Sequence, residues 1–322
     1  MSAIVRRRRA GEAAQAASPL ARRADRLARR ERLALLAFLA PATVFVAIFY
    51  LYPIAKNVAM SFQSYTATSF VTGEAPFVGL RNFGRLLNFS DFRSSAINTV
   101  IFSVGSLVFQ FVIGLGLAVF FQKRFPLNGV LRSLLLLPWL MPVIVSGAIW
   151  VRLFDLDHGV VNFALHSIGL VSQPIPWLAS AQWALVSVLI ANIWIGIPFN
   201  LVILHGGLAA IPAELYEAAS IDGANAWQRF RYVSWPLLRP VSTVVLVLGV
   251  IYTLRVFDVI MSITRGGPGN ASQTLNTWGY QLSFSRLDFG LGAAVGDILI
   301  VVSMAFGLVY LRSQRRAAEA SR

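Results

Sequence analysis

Apolar residues along this chain fall into six blocks separated by polar or charged stretches, at about residues 33–55, 96–121, 130–153, 183–208, 241–263 and 289–311. Each block exceeds the roughly 20 apolar residues that a helix needs to cross a hydrocarbon core of about 30 Å. A backbone in lipid must satisfy its own hydrogen bonds, so runs of this length predict helices and not open strands. The expected fold is therefore all-α, a polytopic membrane protein with six transmembrane helices. Between the blocks, 74–92 and 154–182 carry Gly, Pro, Ser and short amphipathic stretches, and 264–288 carries the turn cluster Gly266-Gly267-Pro268-Gly269-Asn270. None of these stretches is long enough for an independent globular domain. The organisation expected is a basic tail at 1–32, a membrane domain at 33–311 with a long loop at about 209–240, and a second basic tail at 312–322.

Composition agrees: 57% of the 322 residues are hydrophobic and 13% charged, against about 25% charged in ordinary soluble domains. The net charge of +14 first suggests nucleic acid. Placement gives another explanation. With six spans both termini share a side, and the segments on that side hold 20 Lys and Arg against 7 acids, whereas the opposite side holds 7 basic residues and 5 acids. Cytoplasmic loops are the ones enriched in Lys and Arg, so both termini are expected in the cytoplasm and no nucleic-acid partner is needed. The clusters Arg6 to Arg9 and Arg22 to Arg32 fit orientation first and contact with anionic membrane lipids second. Residues 1–30 are expected to be disordered or helical at the surface, and the first apolar run is too long for a cleaved signal.

Solute movement could be coupled to ATP, to an ion gradient or to nothing. A phosphate-cradling loop needs Gly-Lys followed by Ser or Thr, but the two lysines, Lys56 and Lys123, follow Ala55 and Gln122. His158, His166 and His205 have no metal-ligand spacing, there is no cysteine, and no nucleophile elbow is present. The chain is expected to be neither an enzyme nor a metalloprotein.

The loop at 209–240 is the most informative segment. Pro212 suits a helix start and Glu214 the positive end of the helix dipole. Leu215, Ala218, Ala219 and Asp222 share one face, and Gly223 offers the left-handed conformation that ends a helix. A second short helix is expected over 224–233 with Trp227, Phe230 and Arg231 at helical spacing, and Pro236 and Pro240 mark re-entry into the membrane. A helix–turn–helix on the inner surface with small residues on one face suits docking of a cytoplasmic partner. This segment resembles the E-A-A-x3-G-x9-I-x-L-P signature of permease subunits of bacterial ABC importers that work with an extracytoplasmic binding protein. Glu217, Ala218, Ala219, Gly223 and Pro236 match by position, with Val233 for the usual Ile and Trp235 for the usual Leu. The Asp222-Gly223-Ala224 form is similar to the carbohydrate branch. Further similarities are Phe77-Val78-Gly79-Leu80-Arg81-Asn82-Phe83, Gly159-Val160-Val161-Asn162 with Pro176-Trp177-Leu178, and Phe257-Asp258 with Thr264-Arg265-Gly266-Gly267-Pro268-Gly269, where Arg265 replaces a usual Gly.

The resemblance implies a six-helix permease in a bacterial inner membrane, paired with a second homologous permease subunit. It implies two ABC ATPase subunits, one docked on each coupling loop, and a solute-binding protein that delivers a carbohydrate. ATP and magnesium would sit on the ATPases, and this chain would bind no cofactor. A phosphorylated polyol such as glycerol 3-phosphate is the alternative if Arg255 faces the path unpaired. An ion-coupled secondary transporter is a more distant one, lacking the internal repeats expected of that class.

Ionisable groups within spans are costly and mark function by default. Arg255 and Asp258 lie within the fifth block, three residues apart on one predicted helix face, and Asp297 lies in the sixth at a similar depth. They either line the path or lock two helices together. Trp139, Trp194, Asn192, Asn200 and Gln110 add aromatic faces and amides of the kind that stack on and hydrogen-bond to sugars. Pro138, Pro142 and Pro198 either kink their spans or free backbone groups to line a cavity.

Overall fold

A computed structural model describes residues 19–123 and 125–320, so the Arg6 to Arg9 cluster and most of the N-terminal tail lie outside the described residues. Two compact units are distinguished, residues 1–57 and 58–322. The first contains helix α1 (Pro19–Val46), a π-turn at Ala47–Leu51 and the start of α2 (Tyr52–Ser61). Arg22 to Arg32 thus lie on a helix. From Ala34 onward this segment is apolar and long enough to cross a membrane.

The second unit begins with short helices α3 (Ala67–Thr72) and α4 (Arg81–Leu87), followed by the long α5 (Ser90–Phe121). Next come α6 (Asn128–Leu134), α7 (Leu137–Leu140), α8 (Val143–Leu153), α9 (Val160–Ser167) and α10 (Ala184–Ala209). Then follow α11 (Ala213–Ile221), α12 (Ala226–Arg229), a π-turn at Phe230–Ser234, α13 (Trp235–Leu254), α14 (Asp258–Ile263), α15 (Leu275–Tyr280), a π-turn at Gln281–Ser285 and α16 (Phe289–Ala320). Five helical segments are long and apolar enough to span, and a sixth span exists if α6–α8 count as one bent element. The only β pairings among the described residues are the isolated bridges Gln63–Phe77 and Thr66–Asp288. The all-α expectation holds.

The structure differs from the expectation in three places. The third span is bent by 98° between Leu140 and Val143. Pro142 lacks an N–H and crowds the preceding residue out of the α region, and Met141 is accordingly extended, with φ −76° and ψ 143°. Pro198, by contrast, lies inside the unbroken α10.

The fifth span starts within the 209–240 loop and stops early. Helix runs without interruption from Ala226 to Leu254, so Pro236 and Pro240 do not separate an inner helix from the span. The π-turn explains this: the Trp235 N–H reaches Phe230 O, five residues back, and the widened turn admits Pro236. At its C-terminal end the helix finishes at Leu254, before Arg255, and α14 starts at Asp258. Arg255 and Asp258 therefore do not share a helix face, contrary to the spacing argument. Asn276 Nδ2 donates to Arg255 O at 2.9 Å and to Val256 O at 3.4 Å, capping the broken end from α15.

The third difference lies in 264–288, read from its turn residues as a loop. It contains α15, whose Trp278 is fully buried in a cluster with Leu86, Leu275, Leu282, Leu291 and Val295. Asn98 on α5 holds the segment in place by donating to Ala271 O (3.0 Å) and Gln273 O (2.9 Å), and Thr99 Oγ1 accepts from Leu275 N (2.9 Å). Arg265, in place of the family's usual Gly, has a left-handed φ of 53°. That conformation costs a side chain about 1 kcal/mol, so Arg265→Gly is expected to leave the melting temperature unchanged or slightly raised, read by thermal unfolding in detergent.

Helices α5 and α10 form the centre of the unit. A Cβ on Gly114 would come within 2.5 Å of Asn200 Cβ, and one on Gly249 within 2.5 Å of Leu107 Cδ1. Small residues at such crossings bring backbones together where lipid gives no hydrophobic drive. Interhelical polar bonds add to this: Asn192 Nδ2 donates to Ser106 Oγ at 2.8 Å, and Gln110 Nε2 to Asn192 O at 2.9 Å. Two further apolar clusters flank this centre, one around Phe102, Val188 and Ile260 and one around Leu201, Leu204 and Leu238.

Candidate translocation site and coupling loop

A cavity of about 290 Å³ opens between α5, α7, α10 and α13. Four of the residues picked from the sequence line it: Gln110, Trp139, Asn192 and Asn200. From α10 come Asn192, Ile195, Gly196, Phe199 and Asn200, and from α13 come Gly249, Tyr252 and Thr253, with Val256 just beyond its end. Both sets repeat every three or four residues, as one helix face must. Gln110 lies directly over Gly196, where any Cβ would collide with the amide. Its side chain thus fills a notch between two helices and presents its remaining capacity to the cavity.

Trp139, Phe199 and Tyr252 form an aromatic arc on the cavity wall. Trp139 and Phe199 have centroids 6.1 Å apart, and Phe199 meets Tyr252 edge to face at 5.7 Å and 88°. Trp139 sits on α7, immediately before the 98° bend. Phe199 and Tyr252 were missed in the sequence. Tyr252 could have been found there, because Gly249, Tyr252, Thr253 and Val256 follow helical spacing in an otherwise aliphatic run.

The other sequence candidates are placed elsewhere. Trp194 packs edge-on against Trp150 at 5.8 Å and is not part of the cavity wall. Arg255 and Asp258 are exposed on either side of the broken helix end, next to the cavity through Val256. Asp297 is half-buried on α16, also outside the lining. All eleven lining residues are uncharged: aromatic rings, amides, a hydroxyl and a phenol, with Ile195, Val256 and two glycines between them.

The coupling loop takes the form expected up to Gly223. Pro212 precedes α11 as its cap, Glu214 lies in the first turn, and Gly223 is left-handed at φ 78°. Ala224 N donates to Ala219 O at 2.9 Å and Gly223 N to Ser220 O at 3.1 Å, closing the helix end. Asn225 and Gln228 then cap α12 reciprocally, at 2.9 and 2.8 Å. Two bonds tie the elbow together: Tyr216 Oη to Ser234 Oγ at 2.9 Å, and Arg229 to Ser220 Oγ at 3.0 Å. Glu217, Ala218, Asp222 and Gly223 are exposed, Ala219 and Pro236 half-buried. Ile221, Trp227 and Tyr232 are 88, 69 and 73% exposed beside them. Such a cluster of bare apolar side chains on one loop marks a binding surface.

In the turn after α8, Asp155 accepts from the backbone N–H of His158 (2.8 Å) and of Asp157 (3.2 Å). The His158 bond is the main cause that holds its carboxyl below the ordinary value of 3.8. A lowered folded value favours the ionised form, so this turn gains stability above about pH 4 and loses it on acidification.

Comparisons with known proteins agree with this arrangement. Residues 110–319 match the family described as binding-protein-dependent transport system inner membrane component. The trehalose/maltose transport system permease protein MalF of Thermococcus litoralis is 38% identical over 242 residues, covering 75% of this chain and 81% of that one. The sulfoquinovosyl glycerol transport system permease protein SmoG of Agrobacterium fabrum is 34% identical, covering 88 and 90%. The lactose transport system permease protein LacF of Rhizobium radiobacter is 32% identical, covering 87 and 94%. Among solved structures, a chain of a bacterial ABC transporter involved in the import of the acidic polysaccharide alginate superimposes with a TM-score of 0.77 at 24% identity, over 91% of this chain and 99% of that one; at that identity the likeness concerns the fold. A multi-pass helical chain with a matching profile and relatives above 30% identity belongs to the binding-protein-dependent transport system inner membrane component family: it is a permease subunit of an ABC importer.

Proposed function

We propose that the solute is a carbohydrate, and that it passes through the cavity between α5, α7, α10 and α13. The observation that carries this reading is the composition of the wall, in which the Trp139–Phe199–Tyr252 arc faces amides from Gln110, Asn192 and Asn200. Aromatic faces accept the apolar side of a sugar ring, and amides bond its hydroxyls. An uncharged wall gives a phosphorylated polyol no cation to pair with. The relatives' transport systems, for trehalose/maltose and for lactose, support the same class.

The energy comes from outside the chain. On this reading the loop around Glu217, Ala218, Ala219, Asp222 and Gly223 docks an ABC ATPase that binds ATP and magnesium. A second homologous permease with its own ATPase completes the pore, and an extracytoplasmic solute-binding protein delivers the sugar. Closure of the ATPase pair moves the coupling loops and rocks the spans. Both termini and the loop lie in the cytoplasm, with 1–32 and 312–322 as basic flanks of a permease domain at 33–311.

Two measurements test this. In the reconstituted complex, Trp139→Ala and Tyr252→Ala are each expected to weaken sugar uptake about threefold to tenfold while the ATPase stays bound, since an aromatic stacking contact contributes roughly 0.5–1.5 kcal/mol. Accumulation against a gradient by the chain alone in liposomes would overturn the reading. For orientation, the chain has no cysteine, so an introduced one is unique. A membrane-impermeant maleimide should label Asp157→Cys on intact cells and Ala226→Cys only after permeabilisation.

A further inference from the structure

Six aromatic rings continue outward from the cavity. Starting next to Val256, which lines it, Phe257 lies 4.8 Å from Tyr280, Tyr280 4.8 Å from Phe284, and Phe284 6.0 Å from Phe289. Phe289 then meets Phe70 at 4.9 Å and Phe70 meets Tyr65 at 5.2 Å, both edge to face. These rings come from three separate segments: the break after α13, the α15–α16 region and the first outer loop. Asn276 Nδ2, donating to Arg255 O at 2.9 Å, pins α15 to the broken helix and so joins the row to the cavity rim.

The row is not core packing. α15 and its π-turn bury Leu275, Trp278 and Leu282 on one side and leave Tyr280 and Phe284 on the other, 41 and 61% exposed, with Phe70 62% exposed at the far end. Nor does its setting suit lipid. Arg255, Asp258 and Arg286 are exposed around it, and Arg286 pairs with Asp91 at 3.4 Å. Charges in contact with hydrocarbon cost several kcal/mol, which keeps the row out of the hydrocarbon core. Three exposed rings, Phe70, Tyr280 and Phe284, linked through the half-buried Phe257, Phe289 and Tyr65 and bordered by charged and amide groups, match the two surfaces of a linear oligosaccharide: apolar ring faces in the middle and hydroxyls along the edges.

We propose that this row is a second carbohydrate-binding site, a track at the outer mouth that holds successive sugar units of a linear oligosaccharide and aligns its leading unit with the cavity. The proposal rests on the carbohydrate reading of the cavity and adds that the substrate is a chain of several units. A single sugar gains only from the cavity, whereas each further unit stacked on the track adds affinity.

The test is binding of mono-, di- and heptasaccharides from the malto-, cello-, galacto- and xylo- series to the full chain, with its co-purifying subunits, in lipid nanodiscs. Saturation-transfer NMR reads binding. Wild type should bind the heptasaccharide of at least one series more tightly than its monosaccharide. Tyr280→Ala and Phe284→Ala should each weaken the heptasaccharide about threefold to tenfold and leave the monosaccharide unchanged. Tyr280→Phe and Phe284→Tyr, which keep the ring, should retain wild-type binding and so exclude a folding defect as the cause. A wild type with no length dependence in any series overturns the track. So does equal weakening of long and short sugars, or burial of a Phe284→Cys label by the second permease. Should Trp139→Ala and Tyr252→Ala leave the monosaccharide unaffected, the cavity reading itself fails, an outcome separate from failure of the track.

Discussion

Replacing Gly114 by alanine is expected to destabilise the permease by about 1–3 kcal/mol, because one added methyl has nowhere to go. Its carbon would come within 2.5 Å of Asn200 Cβ, 3.2 Å of Leu201 N and 3.3 Å of Asn200 C. Two of these neighbours are backbone atoms, so no rotamer change relieves the clash and α5 must move away from α10. The displacement also reaches function, since Asn200 lines the cavity and Gln110, one turn earlier on α5, spans the same crossing. Uptake should fall more steeply than folding, and Gly114→Leu should prevent accumulation of the protein altogether. Gly116, two residues on, has nothing within 4 Å of an ideal Cβ. Gly116→Ala is the control, expected to lie within about 0.5 kcal/mol of wild type. Thermal unfolding of the two variants in detergent, beside an uptake assay, decides the point: equal behaviour of Gly114→Ala and Gly116→Ala would show that the α5–α10 crossing is looser than the contacts require.

The contrast between Gly114 and Gly116 also marks how far the sequence could be read. Both glycines stand in the same apolar run, and nothing local says which one faces a neighbour. The spans themselves were legible, because length and hydropathy are local properties, and so was the turn at Gly223, where one residue type fits the left-handed backbone. The end of the fifth span was not. Val256 and Phe257 carry no breaker signal, and the break after Leu254 is capped by Asn276, roughly 20 residues on. A run read as one helix with Arg255 and Asp258 on a common face is therefore two helices with the pair at the junction. The buried α15 is hidden for the same reason, since Asn98 and Thr99 on α5 satisfy its backbone from across the unit. For the cavity, residue types predicted Gln110, Trp139 and Asn200 well, because amides and indoles within spans need a reason to be there. They failed for Trp194, which a second tryptophan, Trp150, accounts for. Chemistry alone cannot tell an indole facing a path from one packed on another indole.

The coupling elbow supplies the second large effect, and two substitutions one residue apart should separate docking from transmission. Glu217 is exposed on α11 within the surface that carries Ile221 and Trp227. Glu217→Arg reverses its charge and adds bulk, so the ATPase should no longer co-purify and uptake should drop more than tenfold. Tyr216 points the other way. Its phenol meets Ser234 Oγ at 2.9 Å, and Ser234 is buried at the π-turn from which the helix continues to Leu254. Tyr252 and Thr253 at the far end of that helix line the cavity. On the proposed reading, a push on α11 would be delivered through this bond to a helix whose far end lines the cavity. Tyr216→Phe removes one oxygen and leaves the docking surface intact; the ATPase should remain bound and hydrolyse ATP while sugar moved per ATP falls about threefold to tenfold, as loss of a hydrogen bond worth roughly 1 kcal/mol allows. Ser234→Ala should reproduce that loss, and the double variant should add little, because both remove the same link. Additive losses in that cycle, or Tyr216→Phe shedding the ATPase as Glu217→Arg does, would place the transmission elsewhere on the loop.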